Sequence, residues 1–386
     1  MDHRSSRKIP MDRREFMATT AAAGFALMIP KFGPFKDNPE SIEKYYSALA
    51  DALNKLPNAF PRTESGIELV LLRKIFTEEE AWLAGQMTIQ AEPVSGIAER
   101  VGLTVEETTK RLDKLSNKGA VWGRGGHFRL APFVVGIYEA QVWSMDHEMA
   151  HLMEDYMDEG GAEFMRFQPA IHRVVPAQGS VKTDWILPYD DVKKVIMANK
   201  SFRVRDCICR VQQDLLEERK CDLPLKVCLN FTPFERPPSD RDITKEEALK
   251  MLDDTEKAGL VHCVTNIEEG FYYVCNCCGC CCGILRGITE FGIEKSVAAA
   301  NYFSVIDPET CTGCGLCIKR CQMKAIKVDE GIAVVDKEKC IGCGLCVTSC
   351  AFEAVRMQLK PEEDIIHPPK NFGIWEQDRL KNRGLI

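Results

Sequence analysis

The sequence predicts an α+β fold built from several domains. Three observations carry that prediction: capped helices alternate with short hairpins before residue 165, cysteines crowd the middle of the chain, and a C-x2-C-x2-C-x3-C run occurs twice near its end. At 386 residues there is room for two or three domains. The chain divides into a leader over 1–36, a helical and hairpin region over 65–165, a cysteine-rich region over 166–298, the double-run region over 299–360 and a tail over 361–386. A net charge of −7 gives no sign of a nucleic-acid protein. Nineteen cysteines, an odd number, speak against a complete disulfide framework and for metal ligation by soft thiolates.

The leader carries Arg13-Arg14-Glu15-Phe16-Met17 and then an apolar run from Ala18 to Pro30, which resembles a twin-arginine export signal. The run is shorter than the roughly 20 apolar residues of a membrane span, and no small-x-small cleavage site follows it. Export to the periplasm or the outer face of the cytoplasmic membrane is therefore the expectation, with membrane association through the N-terminus. The plain alternative is a basic tail on a cytoplasmic protein.

Thr77 with Glu80, and Thr104 with Glu107, have the spacing of capping boxes, and between them GIAERVG gives a short helix stopped by Gly102. SNKGAVWGRGGHFRL then reads as two strands around a Gly-rich turn. Together they resemble a winged helix-turn-helix. A DNA reader needs a cationic face, yet the helix mixes Glu106, Glu107 and Asp113 with Lys110, Arg111 and Lys114, while the wing offers Arg124, His127 and Arg129. A structural or partner-docking module is the preferred reading. His147, Glu148 and His151 match the HExxH zinc-protease pattern, with only Glu154 and Glu163 nearby as acids; polar residues on a solvated helix face explain them as simply.

Pro169 to Pro188 reads as irregular. From Ser201 the cysteine-rich region supplies Cys207, Cys209, Cys221 and Cys228, a helix boxed by Thr244 and Glu247 and closed at Gly259, Cys263, and then a strand running into CNCCGCCCG. The tail reads as extended, with a short polar helix near Trp375.

The repeat is the most specific signal. Its first run supplies Cys311, Cys314, Cys317 and Cys321; its second supplies Cys340, Cys343, Cys346 and Cys350. This is the bacterial ferredoxin spacing, in which three thiolates wrap one corner of a cubane and the fourth serves the other cluster. One [4Fe–4S] cluster is thus assigned Cys311, Cys314, Cys317 and Cys350, and the second Cys340, Cys343, Cys346 and Cys321. Gln322 and Ala351 stand where a proline usually follows the fourth cysteine. KAIKVDEGIAVVDKEK between the runs reads as two strands around an Asp-Glu-Gly turn.

Eleven cysteines remain, six of them at Cys275, Cys277, Cys278, Cys280, Cys281 and Cys282. In an extended segment Cys278, Cys280 and Cys282 face one way, Cys277 and Cys281 the other, so two sites can share the stretch, with Gly279 and Gly283 expected to break strict alternation. CICR, KCDLPLKVCLNF, the capped helix and VCNCCGCCCGIL, followed by a two-cluster ferredoxin, resemble a group of bacterial and archaeal polyferredoxin-like 4Fe–4S dicluster-domain proteins, over about residues 200–358. The resemblance implies electron transport and predicts no cysteine at Cys263. Cys207, Cys209, Cys221 and Cys228 with some of the six are expected to hold a further cofactor, with a third iron–sulfur cluster, zinc and a dithiol redox centre as the alternatives. The reading is an electron carrier, or a subunit serving a partner oxidoreductase, with redox proteins rather than nucleic acid as partners. The rival is a cluster-sensing winged-helix transcription regulator.

Overall fold

The computed structural model describes residues 39–182 and 186–386, so the expected export leader over 1–36 lies outside the described residues. Helices and strands mix throughout, as in an α+β protein.

Near the N-terminal side three helices, α1 (Pro39–Lys55), α2 (Ile67–Ile75) and α3 (Glu78–Gly85), pack before β1 (Glu92–Pro93). Then come α4 (Val94–Val101), α5 (Val105–Asn117), β2 (Val121–Arg124) and β3 (His127–Leu130), with the strands in the order β1-β3-β2. Thr77 and Thr104 each close a capping box with the glutamate three residues on, and Gly102 ends α4 in the left-handed region at φ 67°. Next, α6 (His147–Asp158) lies against α2.

A seven-stranded sheet forms the centre, in the order β10-β4-β8-β9-β6-β5-β7. Its members are β4 (His172–Val175), β5 (Ser201–Asp206), β6 (Lys226–Thr232), β7 (Asp242–Ile243), β8 (Val261–Thr265), β9 (Tyr273–Cys277) and β10 (Val297–Ala298), antiparallel except where β10 joins β4. The expectation of irregular chain from Pro169 to Pro188 is corrected here. His172–Val175 is a strand buried at every position, and Arg173 is accommodated because its guanidinium reaches Asp190 and the Tyr189 carbonyl. α7 (Val192–Met197), α8 (Ile208–Leu215), α9 (Lys245–Ala258) and α10 (Gly283–Thr289) accompany the sheet.

The cysteine runs sit on β11 (Tyr302–Ile306), α11 (Leu316–Arg320), β12 (Ile326–Asp329), β13 (Ile332–Val335) and β14 (Val355–Leu359). β11 pairs with β14, and β12 with β13 across a turn where Glu330 and Gly331 have φ 48° and 83°. The tail ends in α12 (Phe372–Asn382), which is anchored: Trp375 is 1% and Arg379 0% exposed, and the Arg379 guanidinium donates to the carbonyls of Pro57, Phe164, Phe167 and Pro169. One apolar core runs from Tyr46 to Trp375. No helix among the described residues is long and apolar enough to cross a membrane.

Candidate functional site

Strand register does what sequence spacing cannot. Cys263 on β8 pairs with Cys275 on β9, Leu229 on β6 with Val274 on β9, and Arg205 on β5 with Cys228 on β6. Cys263, Cys275, Cys228 and Arg205 therefore stand in one row across four adjacent strands. Cys277, two residues beyond Cys275, faces the same side. Opposite this face come Cys207, the N-cap of α8, with Cys209 in its first turn, and Cys282, the N-cap of α10.

These side chains line one cavity. It encloses about 80 Å³ and is bounded by Cys207, Cys209, Cys228, Cys275, Cys277, Cys281 and Cys282, with Met153 and Met157 of α6 as an apolar wall. Cys263 is completely buried behind Cys277 and lies against it. It pairs with Cys275 across the β8–β9 hairpin without lining the cavity itself.

Three polar groups at the cavity, His172, Glu139 and Arg205, were not singled out by sequence reasoning. His172 is 4% exposed and neither ring nitrogen has a hydrogen-bond partner. Burial pushes its pKa down to about 4, which leaves a neutral imidazole. Burial pushes the Glu139 carboxyl up to about 7, against the Gly136 N–H that donates to it at 2.5 Å. At the cavity edge Glu154 accepts from Arg286, Gln212 and Gln213, so it is committed to structure.

The alternation expected along the six-cysteine stretch ends at Cys277, because the chain leaves β9, turns at Gly279 and starts α10 at Gly283. Cys278, Cys280 and Cys281 instead gather with Cys221 from the loop before β6. All four Sγ atoms lie within 4.8 Å of one another, and no other group of metal-ligating side chains among the described residues is so close.

The ferredoxin-spaced runs form two smaller cavities of about 20 Å³ each. One is lined by Cys311, Cys314, Cys317 and Cys350, the other by Cys321, Cys340, Cys343 and Cys346. Backbone N–H groups already aim at sulfur: Ala333 donates to Cys311 at 3.4 Å and Ala325 to Cys321 at 3.2 Å. Ser304 Oγ lies 3.0 Å from Cys346 Sγ. Gly313 and Gly342 have φ 66° and 72°, and a Cβ on either would collide with a carbonyl, of Gly331 and Tyr302 respectively. Burial pushes the Cys343 thiol up and the Cys346 thiol up to about 12, so bare sulfur is held neutral there until a cation draws off the proton. Cys314 alone among the nineteen is exposed.

His147, Glu148 and His151 lie exposed on α6, and Lys74 binds both Glu148 and Asp146. The nearby acids are taken, Glu154 by Arg286 and Glu163 by Arg166. On α5 and the hairpin four cations have partners within the chain: Arg111 pairs with Glu79, Lys114 with Glu80, Arg129 with Glu376, and Arg124 lies over the Phe234 ring.

Residues 304–357 match the family model described as a 4Fe–4S dicluster domain. No curated protein and no solved structure matches the chain. The chain thus contains a 4Fe–4S dicluster domain, which supports a ferredoxin-like iron–sulfur protein with an electron-transfer role.

Proposed function

We propose that the chain carries electrons between a partner oxidoreductase and its own buried cavity, using two [4Fe–4S] clusters in the ferredoxin module and a further iron–sulfur centre in the thiol-lined cavity. One observation carries this reading: cysteines of the three cavities come near one another, starting from the exposed Cys314. Cys314, exposed, borders the outer ferredoxin cavity. Cys317 of that cavity and Cys346 of the inner one are close enough for their charges to interact, and so are Cys343 of the inner cavity and Cys263 behind the large one.

A bound [4Fe–4S] cluster supplies one-electron oxidation and reduction. The chain's own residues do the rest. Cys311, Cys314, Cys317 and Cys350 would hold the outer cluster, and Cys321, Cys340, Cys343 and Cys346 the inner one. Ala325 and Ala333 aim backbone N–H groups at the sulfurs, which stabilises negative charge there, and the Ser304 hydroxyl lies beside Cys346. Leu316 and Phe352, 43% and 51% exposed beside Cys314, offer a redox partner an apolar edge. The donor set of the large cavity, six thiols at Cys207, Cys209, Cys228, Cys275, Cys277 and Cys282, fits a soft metal centre, and the unpartnered His172 ring leaves a further nitrogen ligand facing it. With the leader acting as an export signal, the protein would work outside the cytoplasmic membrane. The helices and hairpin over 78–130, ordered as in a winged helix, serve as a docking or structural module, since Arg111, Lys114 and Arg129 are engaged within the chain.

EPR of the full chain, purified without oxygen and reduced with dithionite, tests this. Two interacting S = 1/2 signals are expected from the ferredoxin module, beside any signal of the third centre, and Cys314→Ser should change one of the two and keep the other. Absence of any cluster signal in the reduced wild type would overturn the reading.

A further inference from the structure

The tight thiol group is of a different kind from the three cavities. Cys221 Sγ lies 4.0 Å from Cys278 Sγ and 3.8 Å from Cys281 Sγ, and Cys280 Sγ lies 3.6 Å from Cys281 Sγ. Four thiolates placed tetrahedrally around one Zn²⁺, at about 2.3 Å each, stand about 3.8 Å apart. A four-iron cubane interposes its own sulfides and irons and spreads its thiolates further. The separations therefore match a single ion. We propose that Cys221, Cys278, Cys280 and Cys281 bind one Zn²⁺ as a structural tetrathiolate site, separate from the iron–sulfur centres.

Its surroundings agree with that role. Val227 and Leu260, with Leu223 beside them, pack apolar side chains against the group, and its four thiols leave none of the open position a catalytic zinc keeps. Four thiolates around a dication leave a net negative charge. The guanidinium of Arg210 lies against Cys278 and that of Arg219 against Cys221, so the charge is offset locally. Arg210 is completely buried and also donates to the carbonyls of Pro224 and Asn276, on the two segments that supply the thiols.

The ion would solve a folding problem. The chain between α8 and β6 forms no regular element from Arg219 to Leu225, and Cys221 at its middle turns inward onto the thiols of Cys278 and Cys281, with the Arg219 guanidinium beside it. A closed four-cysteine site would pin that loop to the turn after β9. The same turn meets the ferredoxin module, because the Gly279 N–H donates to Gln322 Oε1 at 2.9 Å.

The test is zinc and iron per chain, measured by mass spectrometry on full-length protein purified without oxygen, for wild type, Cys221→Ser and Cys314→Ser. One zinc per wild-type chain is expected. Cys221→Ser should lower it more than about tenfold with iron unchanged, while Cys314→Ser should lower iron and keep zinc. X-ray absorption at the zinc edge of the wild type gives a readout that needs no variant: a single shell of four sulfurs at about 2.3 Å. The proposal is overturned by a wild type without zinc, by nitrogen or oxygen in that shell, or by iron rather than zinc falling in Cys221→Ser. The proposed electron-transfer function fails separately, through absent iron signals with zinc still in place.

Discussion

The ferredoxin module and the sheet-borne cavity hold cysteines by opposite means. In the module, eight ligand candidates come from two runs of eleven residues, and the turns between them bring each run around a cavity. In the sheet region, the cavity draws on β6, β9 and the starts of α8 and α10, segments spread from Cys207 to Cys282. Local spacing specifies the first kind of centre; tertiary register specifies the second. A defect in the module should therefore stay local, whereas a defect in the sheet should spread to folding.

The strongest way to break that contrast is Cys346→Ser. Loss of about four iron per chain is expected, with thermal stability of the remainder largely kept, as read by metal analysis and circular dichroism on anaerobic protein. Unfolding of the whole chain would show that the module is not locally specified.

A smaller effect is expected at the seam between the regions. A Cβ on Gly279 would collide with the Gln322 carbonyl, so Gly279→Ala should destabilise by about 1–3 kcal/mol, read as a lower unfolding midpoint. Gln322→Ala is milder. It removes the bond from the Gly279 N–H and the 2.8 Å bond that Gln322 Nε2 donates to the Gly259 carbonyl, and should cost about 1–2 kcal/mol. Gln322→Pro, which restores the residue common at that place in ferredoxin runs, should cost as much, because this glutamine docks the module onto the sheet region. The smallest effect is expected from Thr104→Ala, about 1 kcal/mol from the lost cap, with iron unchanged because α5 touches neither set of cysteines.

Much of the fold was legible for local reasons. Capping boxes at Thr77, Thr104 and Thr244, the stops at Gly102 and Gly259 and the turn at Glu330-Gly331 are written in neighbouring residues. β4 was not legible, because HRVV shows no alternation and its Arg173 is neutralised by Asp190, seventeen positions away. The tail helix looked polar because Arg379 is satisfied by carbonyls from segments far earlier in the chain. At the site, the runs announced themselves, whereas the split of CNCCGCCCG between a cavity and a tight four-thiol group depends on where β9 ends. His172 carries no sequence signal at all; only its burial without a partner draws attention to it.

The central claim is that the large cavity is a metal centre joined to the ferredoxin module. Iron and acid-labile sulfide per chain, compared between wild type and Cys209→Ser purified without oxygen, test it most directly. The account predicts about twelve iron in the wild type and about eight in the variant, with the reduced ferredoxin EPR signals retained. About eight iron in both would contradict it and leave the cavity to thiol chemistry alone.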